Sequence, residues 1–324
     1  AQYNLGFIYY EGKFIQRNVN KAIKYLSLAA NQNLAIAQFV LGILYYKGRY
    51  IEHDINKSVY YLKLSLNNKY VDAFYTIGMH YLSENQFIKC FDKKIRFMRI
   101  ASGNIDMVVC KDGFFKSIAY FEQAANQNDA YSQLALGILY YKNKEIPHDI
   151  NKALHYFTLA SNQNQIDSLF YLGEIYNNED KFKRDIKKSI HYFNLAANYD
   201  ISNSKNTIEL INSNGNLIIK KIIKKEFDFI PEIVVKANAQ YELGNIYFYG
   251  KNIEKDTNKG IYYLHQSAYN NNPHAQDLLG LIYLEGIYIK KDVPRAINLL
   301  MRAANQNLTN SECNLGCIYY EGID

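Results

Sequence analysis

Apolar and small residues along this chain recur at three- and four-residue steps in blocks of about a dozen, the pattern of amphipathic helices and not of strands. The blocks themselves repeat. AQYNLGFIYYEG at Ala1 to Gly12 returns as AQFVLGILYYKG at Ala37 to Gly48, and the central glycines fall at Gly6, Gly42, Gly78, Gly137, Gly173, Gly244, Gly280 and Gly316. Their spacings are 36, 36, 59, 36, 71, 36 and 36 residues. A second block, KAIKYLSLAANQN from Lys21, returns at Lys116, Lys152, Lys188 and Arg295. The first block is helix A of a repeat and the second helix B. A period of this length is the mark of a solenoid, in which each unit buries its apolar face on its neighbours. The fold expected is all-α: a right-handed α-solenoid superhelix of about ten helix-turn-helix units.

The two irregular spacings predict the organisation. KKIRFMRIASGN from Lys93 lies two periods after Lys21 and reads as helix B of repeat 3, so residues 1–104 hold three repeats. Residues 105–131 then form a clipped unit with a stub for helix A and a standard helix B from Phe115. Residues 132–203 are regular. Residues 204–238 read as a degenerate repeat with Pro231 interrupting its helix B, or as a β-hairpin, TIELI-NSNG-NLIIK. Residues 239–324 complete the array with an incomplete last unit. Ala1 begins inside a repeat and Asp324 ends inside one, as expected of a piece of a longer protein.

Local chemistry supports the helix boundaries. Gly12, Gly48, Gly250, Gly286 and Gly322 stand where an αL residue would end helix A. Asn18, Asp54, Asp149, Asp185, Asp256 and Asp292 stand where a side-chain oxygen would cap helix B. Asn33, Asn128, Asn164, Asn271 and Asn307 close helix B, and Asn tolerates αL. Position 6 of the unit is glycine, and the facing helix-B site is small (Ala29, Ser65, Ala101, Ala124, Ala160, Ala196, Ser267, Ala303), so the two helices can approach closely.

Composition narrows the chemistry only a little. A net charge of +6 on 324 residues is too mild to argue for nucleic acid. No stretch is apolar enough to span a membrane, and no leader is visible at the N-terminus. Cys90, Cys110, Cys313 and Cys317 lack the regular spacing that would staple repeats, which points to a reducing, cytoplasmic setting. Lys93, Lys94, Arg96 and Arg99 form one basic cluster. The other, IIKKIIKKEF with Lys220, Lys221, Lys224 and Lys225, suits an acidic partner or a membrane surface, or is a solvated face.

The unit, LGxxYxxG followed by an Asp-capped KAxxYxxxAAxxN, resembles the Sel1-like repeat family, cousins of the tetratricopeptide repeat. The family's usual Gly after AAxx is Asn here, at Asn33 and its equivalents. The resemblance implies a non-enzymatic scaffold or adaptor for proteins, with no cofactor and no metal. By analogy with tetratricopeptide stacks, helix A lines a concave groove through the positions of Tyr3, Phe7 and Tyr10. In later units these are Phe39, Ile43 and Tyr46; Tyr75, Met79 and Leu82; Leu134, Ile138 and Tyr141; Phe170, Glu174 and Asn177; Tyr241, Asn245 and Phe248; and Cys313, Cys317 and Tyr320. The first half is aromatic and apolar, suited to a peptide or partner helix. The second turns polar, with Glu174, Asn177, Asn245 and Asp277.

Two other classes compete with the scaffold. Some bacterial members of the family carry a β-lactamase label, and Ser202 to Lys205 spells SxxK, but neither SDN nor KTG follows. An adaptor of the endoplasmic reticulum would use the sequons at Asn56 or Asn307. Histidines at equivalent places (His155 with His191, His53 with His148) read as solvated basic residues, and Cys313 with Cys317 as an isolated pair. HExxH, P-loop, GxSxG and GxGxxG motifs are absent.

Overall fold

A computed structural model describes residues 1–12, 15–48, 50–84, 111–142, 147–178, 184–200, 231–250 and 252–322. Among these residues there are fifteen α-helices and no strand. The first unit holds α1 (Gln2–Glu11), α2 (Val19–Asn31), α3 (Ala35–Lys47), α4 (Ile55–Asn67), α5 (Asp72–Glu84), α6 (Lys111–Ala125) and α7 (Ala130–Lys142). The second holds α8 (Ile150–Ser161), α9 (Ile166–Asn177), α10 (Ile186–Ala197), α11 (Glu232–Tyr249), α12 (Thr257–Tyr269), α13 (Pro273–Glu285), α14 (Val293–Ala304) and α15 (Thr309–Glu321).

The turns follow the expected chemistry closely. Asn18, Asp54, Asp149, Asp185, Asp256 and Asp292 each accept the backbone N–H three residues on, at Lys21, Lys57, Lys152, Lys188, Lys259 and Arg295. Asn33, Asn128, Asn164, Asn271 and Asn307 take φ between 58° and 67°, the left-handed turn that closes helix B. Gly48 ends α3 at φ 57°, and a Cβ there would lie 2.6 Å from that of His53, so the loop folds back too tightly for a side chain.

Each helix pair meets at the glycine of helix A. Leu26, Leu62, Phe193, Leu264 and Leu300 fill the space beside Gly6, Gly42, Gly173, Gly244 and Gly280, and a Cβ added at Gly42 would stand 2.6 Å from Leu62 Cγ. Where helix B carries a serine in place of alanine on this seam, its hydroxyl donates to the glycine carbonyl: Ser58 to Gly42 at 2.8 Å and Ser189 to Gly173 at 2.9 Å. A second, polar link joins successive units. The buried Gln38 donates to Ala30 O of the preceding helix B and accepts from Asn68 of its own. Gln276 repeats the arrangement with Ala268 and Gln306.

Both irregular spacings are packed differently from the expectation. Spacing assigns α5 to a helix B at 93–104, which lies outside the described residues, and α6 to a clipped unit of its own. Yet α6 packs on α5 as its helix B, with Phe121 against Gly78 in the role of Leu26. Near residue 231 the correction is larger. Pro231 starts a helix: it caps α11, where its missing N–H costs nothing. Residues 232–238, assigned by spacing to a degenerate unit, are therefore the first two turns of the next helix A. Tyr263 of α12 donates to Asn194 of α10 at 3.0 Å, the same contact that Tyr61 makes with Ser27 one unit earlier. The pair α11 and α12 thus stands next to α9 and α10, the place that spacing gives to the degenerate unit. The proposed hairpin, the SxxK stretch, both basic clusters, Cys90 and Cys110 fall outside the described residues.

This packing makes Phe121→Ala as damaging as a core deletion in a regular unit, about 3–5 kcal/mol in urea unfolding. Gly42→Leu should cost at least 1–3 kcal/mol or so by wedging α3 from α4.

Candidate functional site

Periodicity places the groove residues on one stripe of helix A, and the structure shows how much of that stripe neighbouring helices cover. Phe7, Phe39, Ile43, Tyr75, Met79, Leu82, Leu134, Ile138, Tyr141 and Phe248 are buried. Tyr75 sits between Phe121 and Tyr131 at ring separations of 5.7 and 6.0 Å, and Phe39 lies 4.9 Å from Tyr70. Burial drives the Tyr75 phenol well above its ordinary pKa, with the Asp129 charge adding to it, and pushes Tyr3 up to about 12. These side chains therefore fill the space between layers and form no open aromatic wall. Tyr3, Tyr10, Tyr46, Phe170 and Tyr241 remain half-buried. Tyr320 is 92% exposed, and Cys313 and Cys317 are exposed free thiols.

In the second unit acceptors gather on this stripe and at the residue beside it. Glu242 on α11 faces Glu174 on α9, and burial first, then the Glu174 charge, raises its carboxyl from 4.5 to about 7. No lysine or arginine among the described residues pairs with Glu242. One turn on, the Asn245 side-chain oxygen is buried and accepts no hydrogen bond. Asp277, also expected here, is committed: it accepts from Ser311 at 2.6 Å and Asn314 at 3.2 Å on α15. Glu242 escaped the sequence reading because it lies one residue from Tyr241, off the three positions taken to face inward.

Between helix A and helix B a tyrosine from each helix and a lysine of helix B form a recurring stack. Tyr9 and Tyr25, Tyr45 and Tyr61, Tyr81 and Tyr120, Tyr176 and Tyr192, and Tyr247 and Tyr263 lie face to face at 5.7 to 6.0 Å. Lys21, Lys57, Lys116, Lys188 and Lys259 sit over the first ring of each pair. Such contacts are worth about 0.5–1 kcal/mol each at exposed sites. His53, His148, His155 and His191 are exposed. Among the described residues no group of three or more His, Cys, Asp or Glu could hold a metal, and no helix is long and apolar enough to cross a membrane.

The family model for the Sel1 repeat matches residues 1–34, 35–70, 113–129, 130–165, 166–198, 237–272 and 273–308, more than half of the chain. A Sel1 repeat protein from Oxalobacter formigenes is similar in fold, at 20% identity and a TM-score of 0.55 over 100% of this chain and 86% of that one. A protective antigen of uropathogenic Escherichia coli with an SLR fold aligns at 21% identity over 99% of this chain and 72% of its own, with a TM-score of 0.36. A putative Sel1 repeat protein from Klebsiella pneumoniae aligns at 17% identity over 75% of this chain and 99% of its own, with a TM-score of 0.37. No curated protein matches the chain.

The Glu242 carboxyl makes stability depend on pH. Between about 4.5 and about 7 the unfolded chain loses its proton first, so stability falls as pH rises through that window and stays low above it. Glu242→Gln should therefore raise stability at pH 8, by up to about 3 kcal/mol, and leave it unchanged at pH 4.5. Melting curves at the two pH values check this.

Proposed function

The chain belongs to the Sel1 repeat family, and from that membership we propose that it is a non-catalytic scaffold for a protein partner, held at the inner face of α9 and α11 by a basic segment of that partner. One observation carries the reading: Glu174 and Glu242 face each other without a cation on Glu242, beside a buried Asn245 oxygen that lacks a donor. A lysine or arginine side chain from outside would supply both the positive charge and the N–H groups, and a carboxylate paired in this way is favoured in its charged form. The half-buried rings of Phe170 and Tyr241 add apolar area beside it. In the first unit, Tyr10 and Tyr46 keep partly open faces that suit an apolar side chain of a bound peptide. The cysteines lack the regular spacing that would staple successive repeats, which suits a reducing, cytoplasmic setting.

A peptide array screened with wild-type protein and with the Glu174→Gln/Glu242→Gln variant tests this. Peptides retained by the wild type should carry lysine or arginine and lose about tenfold or more in affinity with the double variant, the loss expected for a partly buried charged hydrogen bond. Helicity by circular dichroism should persist. Binding that is indifferent to both the basic residue and the double substitution would sink the reading.

A further inference from the structure

The recurring stack between helix A and helix B fails in one unit, and a cleft opens where it fails. Six units place tyrosine four residues after the first-turn lysine of helix B, at Tyr25, Tyr61, Tyr120, Tyr156, Tyr192 and Tyr263; α14 has Leu299 there, four residues after Arg295. Tyr283 consequently has no tyrosine stacked on it from its own helix B. The imidazole of His265, on α12, meets the Tyr283 hydroxyl at 3.3 Å instead. A cleft of about 450 Å³ remains between α12 and α14, lined by His265, Tyr269, Leu279, Arg295, Leu299 and Arg302 among others. That volume lies in the range of ligand sites, about 300–1,000 Å³.

Its two arginines lack carboxylate partners among the described residues. Lys57 and Lys188 pair with their cap residues Asp54 and Asp185 at 3.0 and 3.6 Å. Arg295, at the same place on α14, leaves the Asp292 carboxylate to the backbone N–H and carries its guanidinium over the Tyr283 ring, 4.7 Å from the centroid. Arg302 occupies a place that is Leu28, Leu64, Leu159 and Leu195 in other units, and donates a single hydrogen bond, to Ala268 O at 3.3 Å. Neither arginine has a carboxylate partner among the described residues. Helix α14 contains no acidic residue, and neither does α12. Two guanidiniums two turns apart, about 10 Å along the axis, thus flank an apolar floor of Leu279 and Leu299.

We propose that this cleft receives an acidic segment of a protein partner, with one carboxylate on Arg295, another on Arg302 and an apolar side chain on the leucine floor. Guanidinium groups favour paired, directional contacts with carboxylates, and the absence of any acid on the two helices makes the complementarity one-sided. The inference rests on the scaffold reading for its class of partner, but uses a different face and different residues.

The test is fluorescence anisotropy with a labelled peptide carrying two glutamates around a leucine pair, its glutamine counterpart, and inorganic phosphate as competitor. The glutamate peptide should bind the wild-type chain and the Glu242→Gln variant equally. Arg295→Gln and Arg302→Gln should each weaken it about tenfold. Leu299→Tyr restores the residue that six other units carry, so it should fold, stack on Tyr283, fill the cleft and abolish binding. Equal affinity for the glutamine peptide, binding unchanged by Leu299→Tyr, or displacement by phosphate at concentrations similar to those of unlabelled peptide would each overturn the proposal. Because the array above reads basic peptides at Glu174 and Glu242, failure there and failure here are separate results.

Discussion

Everything in this chain depends on how closely helix A can approach helix B. With glycine on helix A, a leucine or phenylalanine of helix B lies where a Cβ would otherwise be, and small residues on the facing helix complete the seam. Close approach brings the tyrosines of the two helices into face-to-face stacks and places the cap residue's lysine over them. It also leaves the buried glutamines, Gln38 and Gln276, as the groups that join one unit to the next. Gln38 makes two such hydrogen bonds and Gln276 three, so removing either would strand its partners at a cost beyond the lost contact.

Much of this was legible because the constraints are local. A cap needs a side-chain oxygen three residues before a free N–H, and a left-handed closing residue needs Gly or Asn; both leave signatures at fixed positions, as at Asp54 and Asn33. Spacing across the irregular gaps was less informative, since counting residues says how much chain intervenes and nothing about what touches what. Phe121 takes the seat beside Gly78 although it is not the residue that the period assigns to it. Tyr263 reaches Asn194 across 69 residues through the same pair of positions that Tyr61 and Ser27 occupy in the first unit.

The groove positions show a related limit. A three- and four-residue period identifies a stripe that needs cover or offers contact, without saying which. Phe39 and Tyr75 turn out to be covered by the next layer, while Glu242, one residue outside the stripe, holds the unusual carboxyl. Its pKa follows from burial and a neighbouring charge, neither of which is visible in a repeat pattern.

In a repeat array the residues that recur are committed to the stack, and their recurrence shows that they are needed wherever the chain goes. On the scaffold reading proposed above, partner recognition falls to residues that break the pattern while leaving the stack intact. Glu242 and Glu174 do so on helix A, since other units carry apolar or neutral residues at these places, such as Phe7, Ile43 and Asn4. Leu299, Arg302 and His265 do so on helix B, and they lie around one cleft. Each exception spends some of the local stability that the regular unit would have had: a buried carboxyl beside a second acid in one place, a lost ring stack in the other. A stack this repetitive can absorb such local costs because every other unit keeps its own seam, caps and links, which is the structural reason that the proposed sites fall on exceptions and not on the consensus.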